Sequence, residues 1–328
     1  MTVDVRSKIP NTAHFVWFGE SLPLVYILGI KSALVNGGFD SVVLHLDQEL
    51  SDNEAIREYL EPHSRFEIRL INEDYFTHAG DAILEMYQGL TDRRARSNVL
   101  RLVILAKWGG VYLDTDVVVL KDFAKHREDA FFYGNQWNRY PFFSEQLPRL
   151  ILKICQYFHG VLRFLLLLLP YGFFFYNWYE RRFLYPLPNN CVIGSTPDHS
   201  FLHELFQHML DLDPEIRIKN RQLGVRLFQR GVAYVSDENK DRIKGYSCSV
   251  FNPLSPVISR LWFKKGFGRY QHLFNREETT LIHWYSTSLN IMNPKIIRSI
   301  TAEGIDQDAD TVALFPFLKA VKDFKEVE

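Results

Sequence analysis

The chain has 328 residues, 47% hydrophobic and 23% charged, so it can bury a sizeable core and is not disordered. Lys+Arg number 38 against 39 Asp+Glu, a net charge of −1, which excludes the basic surplus of a nucleic-acid binder. Three widely separated cysteines, Cys155, Cys191 and Cys248, suit neither a disulfide framework nor a zinc site.

Met1 to Lys8 is polar, without the apolar region of a signal peptide, so a cytoplasmic location is expected. A short apolar and aromatic run at 13–18 ends on Gly19 and predicts a buried strand. Residues 22–36 place Leu24, Ile27, Leu28, Ala33, Leu34 and Val35 at near-helical spacing, closed by Gly37-Gly38. Ser41 to Leu46 is a strand, 52–60 a helix, and 66–71 alternates like a strand. A strong helix follows at 92–107, then Gly109-Gly110, then strands at 111–113 and 117–120. This alternation predicts an α/β fold with a mostly parallel sheet, whose ligands gather at the carboxyl ends of the strands.

Residues 147–185 depart from that pattern. Arg149, Lys153, Gln156, Gly160 and Arg163 form one narrow polar stripe on a helix, and Leu150, Ile151, Leu152, Ile154, Tyr157, Phe158, Val161 and Leu162 cover the rest. Phe164 to Leu169 is wholly apolar, far short of the ~20 residues that span a bilayer, and Pro170 and Gly172 interrupt it. The stripe's cations and the flanking Trp178, Tyr179, Arg181 and Arg182 predict an element lying in a membrane interface. The bland alternative is a helix buried in a core or an oligomer contact.

The stretch richest in chemistry is Trp108-Gly109-Gly110-Val111-Tyr112-Leu113-Asp114-Thr115-Asp116. Two carboxylates one residue apart at the end of an apolar strand point, by alternation, to the same face. Paired hard oxygen ligands suit Mg²⁺ or Mn²⁺ held together with a substrate diphosphate. No P-loop, Gly-x-Gly-x-x-Gly or Gly-x-Ser-x-Gly competes with that reading.

Three blocks resemble one family. They are Ile9-Pro10…His14…Trp17-Phe18-Gly19; Arg96-Ser97-Asn98-Val99-Leu100-Arg101 with the Asp-x-Asp stretch; and, more loosely, Leu281-Ile282-His283-Trp284-Tyr285-Ser286-Thr287-Ser288. The chain resembles the Asp-x-Asp sugar transferases of glycosyltransferase family 32, the Och1-like mannosyltransferase and α-1,4-galactosyl- or N-acetylglucosaminyltransferase type. The clostridial glucosylating toxins are more distant relatives. The resemblance implies a GT-A fold, a nucleotide-sugar donor (UDP- or GDP-sugar), a divalent metal, usually Mn²⁺, and retention of anomeric configuration.

Carried over by position, Asp116 corresponds to the principal metal ligand, and Asp114 to a carboxylate that supports the metal and meets the donor. Arg101 corresponds to a helix arginine facing the donor sugar, and His283 to a C-terminal histidine completing the metal or diphosphate site. Trp17 falls where an aromatic stacks on the nucleotide base, with Phe18 beside it. Asn98 departs from the family's Asp, and Ser288-Leu289 from its Ser-Trp ending. Core packing is the alternative role for Trp17 and His283, a surface ion pair for Arg101, and sheet packing for Tyr112.

The implied organisation is one catalytic domain over 1–328. Residues 1–135 form the donor-nucleotide half, 147–185 a mainly helical, membrane-interacting insertion, and 186–328 the acceptor side that returns to the metal. The implied partners are a nucleotide sugar, a carbohydrate or glycolipid acceptor, and a membrane surface. Two other readings are an effector-like transferase acting on a protein side chain and a non-catalytic carbohydrate-binding protein.

Overall fold

The computed structural model describes residues 8–51, 53–138, 148–169, 172–217, 222–256, 259–273, 276–286 and 297–325. In chain order its first elements are β1 (Thr12–Trp17), α1 (Leu24–Asn36), β2 (Ser41–Leu46), α2 (Glu54–Tyr59) and β3 (Phe66–Leu70). Then come α3 (Asp81–Gln88), α4 (Arg93–Trp108), β4 (Gly110–Leu113), β5 (Val117–Val119) and β6 (Phe131–Asn138). The helices α5 (Arg149–Leu168) and α6 (Gly172–Phe183) precede β7 (Tyr185–Ser195), α7 (Ser200–Leu210), β8 (Ile243–Tyr246) and β9 (Leu281–His283).

Seven strands form one sheet in the order β3-β2-β1-β4-β7-β6-β8. β3, β2, β1 and β4 pair in parallel, β7 runs antiparallel to both β4 and β6, and β8 is parallel to β6. The expected α/β class and mostly parallel sheet are therefore present. β2 reads Ser-Val-Val-Leu-His-Leu with five of its six residues buried, as a parallel strand covered on both faces requires. Helices cover both faces. Ala13, Phe15, Val111 and Leu113 pack towards α1, while Val16 and Tyr112 pack towards α3, α4 and α7.

Two glycines let β4 enter the sheet. Gly109 and Gly110 both take positive φ, +65° and +93°. A Cβ on Gly110 would stand 2.6 Å from the Thr12 carbonyl, and one on Gly109 2.7 Å from the Pro197 ring. The Gly-Gly pair thus ends α4 and allows β4 to lie tightly between β1 and β7. At the other end of α4, the Asp92 carboxylate caps the helix, accepting from Arg94 N at 2.8 Å and Ala95 N at 2.9 Å.

The break near 147–185 is a helix pair. Leu162 and Leu166 of α5 pack against the core, Tyr176 and Tyr179 of α6 are buried in it, and the Tyr179 hydroxyl meets His159 Nδ1 at 2.6 Å. The opposite face of α5 is apolar and open: Leu150, Ile154, Tyr157, Phe158 and Leu165 are each more than half exposed. Phe174, Trp178 and Phe183 extend this surface onto α6. Among the described residues, the core therefore covers one face of this helix and leaves the other open. Among the described residues, no helix is long and apolar enough to cross a membrane. Of the predicted polar stripe, Gly160 is half-buried, and the side chains of Arg149, Lys153, Gln156 and Arg163 lie outside those described.

Candidate active site

β4 ends at Leu113, and the chain bends through Asp114, Thr115 and Asp116 before β5 begins. The two aspartates therefore lie on a turn between two sheets rather than on a continuing strand. Convergence comes from pairing instead of alternation. β5 is antiparallel to β9, with Val117 opposite His283, so the histidine stands beside Asp116. One ligand atom from each of Asp114, Asp116 and His283 can be chosen so that all three lie within 4.8 Å of one another.

Asp116 is held on both oxygens. Oδ1 is 3.0 Å from His283 Nε2, Oδ2 accepts from Ser286 N at 2.5 Å, and its own carbonyl accepts from Trp284 N at 3.0 Å. Burial opposes ionisation of its carboxyl. The His283 charge and the hydrogen bonds from His283 and Ser286 outweigh that and hold the pKa below the usual carboxylate value. In His283 burial disfavours the cation, but the neighbouring Cys191 sulfur and Asp116 carboxylate prevail, and its pKa is well raised. Asp114 moves the other way: burial lifts it, Arg101 counteracts, and the charge of Asp116 adds to the rise. Two neighbouring carboxylates are thus pushed apart in acidity, a common mark of a working site.

Asp114 is the more open of the pair, its side chain 25% exposed. Oδ1 accepts from the Tyr112 hydroxyl at 2.8 Å and pairs with Arg101 Nη2 at 3.2 Å. Arg101 is buried on α4, with its guanidinium 4.6 Å from the Tyr112 ring centre and donating to the Asn190 carbonyl on β7. A surface ion pair is therefore not its role; it braces Asp114. Asn98, one turn earlier, accepts from Asn190 Nδ2 at 2.9 Å, and a Cβ on Gly224 would come within 2.7 Å of its amide.

Trp17 and Phe18 lie at the carboxyl end of β1, both half-buried. Trp17 donates from Nε1 to the Ser21 carbonyl and its ring lies tilted 5.0 Å from that of Tyr26, which lies tilted 5.2 Å from Trp284. Phe18 lies under Arg96, 5.4 Å from its guanidinium. Thr287, Ser288 and Leu289 fall outside the described residues. Asn190, Asn252 and Ser286 belong to the site without having been singled out. Only Ser286 had a signal, its place three residues after His283.

The donor set fits a divalent cation. Two carboxylates, Asp116 buried and Asp114 part-open, and the buried His283 imidazole are donors that such a cation takes.

Residues 4–142 match the family described as "glycosyltransferase sugar-binding region containing DXD motif". Asp114-Thr115-Asp116 is the one Asp-x-Asp in that range. No curated protein matches the sequence. Among solved structures, the ligand-free glycosyltransferase domain of the YGT toxin aligns with 96% of this chain and 99% of its own, at 10% identity and TM-score 0.43. An active-site mutant of LgtC covers 96% and 97%, at 12% identity and TM-score 0.46. Mouse xyloside xylosyltransferase 1 covers 83% and 96%, at 13% identity and TM-score 0.41. Functional weight rests on the family match and the trio, not on likenesses of that strength.

Proposed function

We infer that this glycosyltransferase, whose sugar-binding region spans 4–142, is metal-dependent and retaining, and moves a hexose or N-acetylhexosamine from a nucleotide sugar to an acceptor hydroxyl. The observation that carries the reading is the convergence of Asp114, Asp116 and His283 from two distant parts of the chain. A packing-only protein has no need to bury a carboxylate beside an imidazole at the mouth of a sheet. That convergence also counts against a non-catalytic carbohydrate-binding protein.

Asp116 and His283 would hold the cation, with Asp114 as its more accessible ligand and as the group nearest the donor sugar. When bound, the cation would neutralise charge on the departing diphosphate. Arg101 and Tyr112 fix the Asp114 carboxylate, and Asn98 presents an amide where a carboxylate would be charged. Trp17 and Phe18 offer aromatic surface for the nucleotide base. In the front-face route favoured by the family resemblance, the acceptor oxygen attacks the anomeric carbon from the side the diphosphate leaves. The anomeric C–O bond breaks towards the diphosphate, whose oxygen takes the acceptor's proton.

The open apolar face of α5 and α6 supports a peripheral membrane position and an acceptor that is a glycolipid or lipid-linked glycan. The test is a panel of UDP- and GDP-sugars screened for Mn²⁺-dependent hydrolysis and transfer, with and without chelator. Turnover of one donor that chelation abolishes is the expected result. Absence of metal-dependent turnover and of Mn²⁺ binding across the panel would sink the reading.

A further inference from the structure

Asn252 follows a short Cys248–Phe251 helix and is fully buried. Its Nδ2 donates to the Asn135 carbonyl of β6 at 2.9 Å, which turns Oδ1 inward. There Oδ1 meets three groups able to donate: the Tyr285 hydroxyl at 2.9 Å, His283 Nδ1 at 3.2 Å and Cys191 Sγ at 3.6 Å. The reverse orientation would set the amide oxygen against the Asn135 carbonyl, acceptor facing acceptor. An amide oxygen only accepts, so Nδ1 of His283 carries the hydrogen. Nε2, 3.0 Å from Asp116, is then the nitrogen that would give up its proton to a bound cation.

We propose that Asn252 is a positioning residue that fixes His283 as its Nδ1–H tautomer and so presents Nε2 to a divalent cation; this rests on the metal-dependent reading above. A metal-bound imidazole commonly donates its other N–H to a carbonyl-type oxygen, which sets the tautomer and the ring's direction. Tyr285 works with Asn252. Its backbone sits in the left-handed region at φ +55°, unusual for an aromatic residue, while its hydroxyl is anchored on Asn252. Its ring lies 3.9 Å from that of His283, closing off rotation of the imidazole. One carboxamide therefore ties β6, β9 and the loop after β9 into a single ligand mount.

The experiment titrates Mn²⁺ into the purified full chain by electron paramagnetic resonance, for wild type and Asn252→Ala. Loss of a partner of this kind typically weakens metal binding about 10–100-fold, and that loss is expected for Asn252→Ala. A second measurement reads the tautomer in the wild type itself. Wild-type protein labelled with ¹⁵N-histidine and loaded with diamagnetic Zn²⁺, which accepts imidazole, should show His283 protonated at Nδ1 only, assigned by difference from His283→Gln. Folded Asn252→Ala binding Mn²⁺ within about threefold of wild type would overturn the proposal, a change below the range such partners show. So would a His283 protonated only at Nε2. Wild type that binds no Mn²⁺ at all would instead overturn the metal reading beneath it.

Discussion

Asp116 is not the solvated turn carboxylate that an Asp-x-Asp motif suggests when read alone. It is 6% exposed and tied to His283 and to the Ser286 amide, so removing it does two kinds of damage. Asp116→Ala deletes the proposed metal ligand and leaves a buried imidazolium without its partner, a change that typically costs about 3–5 kcal/mol. Asp116→Asn keeps a hydrogen-bonding oxygen for Ser286 and should lose much less stability, while losing transfer as fully as Ala. Thermal melts beside transfer assays check this. Equal melting of Asn and Ala, or activity in either within a few-fold of wild type, would contradict the assignment.

Arg101 makes a sharper case. Its planar fork spans Asp114 and the Asn190 carbonyl while lying on the Tyr112 ring, and an ammonium cannot make all three contacts. Arg101→Lys should cut transfer by roughly tenfold or more, with free-nucleotide affinity nearly unchanged. Equal loss of both would move Arg101 to the phosphates.

At the scale of elements, local pattern and long-range pairing separate cleanly. β2 over Ser41–Leu46, α4 and the Gly-Gly turn were legible because periodicity and glycine placement are local properties. The long antiparallel ladder of β6 and β7 was not predicted. Gly134, Pro186, Asn189 and Asn190 interrupt its alternation, and its register shifts between Tyr133 and Gly134. In the site, Asp114 and Asp116 announced themselves by spacing, and His283 through family resemblance. Asn252 and Asn190 are single amides with no spacing to mark them; only the tertiary meeting of α4, β6, β7 and β9 gives them partners. The α5 helix shows the converse, where sequence pattern says more than packing. Leu166 faces the core, so a charge there would disturb folding as well as any surface role. Ile154→Glu/Phe158→Glu alters only the open face. Co-sedimentation with vesicles containing anionic lipid should fall at least about fivefold for the double variant, as loss of two buried apolar anchors implies. Wild type that stays in the supernatant would defeat the membrane reading, leaving the transfer chemistry untouched.

For the molecule as a whole, buried histidines govern the response to acid. His14 and His45 are neighbours in the sheet, with His14 Nδ1 3.0 Å from His45 Nε2 and His45 Nδ1 2.9 Å from the Tyr75 hydroxyl. Burial, reinforced by Arg69, lowers His14 to about 3, and burial with His14 and Arg69 nearby takes His45 well below its usual value. Burial, aided by Lys125, lowers His126 to about 4. His199 falls to about 4, chiefly through burial, and its Nδ1 accepts from Phe201 N to cap α7. In each the folded value lies below the unfolded one, near 6.5, so the unfolded chain binds protons first as pH falls. Stability is therefore full above that unfolded value and is lost as pH drops towards the folded values. His283, raised, acts in the opposite sense, but four groups oppose one. Each net proton is worth about 1.4 kcal/mol per pH unit, so between pH ~7 and ~5 the chain should lose at least about 2 kcal/mol. Urea unfolding at the two pH values measures the loss directly, and His126→Asn should flatten the slope by close to one proton. Stability that stays level or rises on acidification would show that these rings are already charged in the fold.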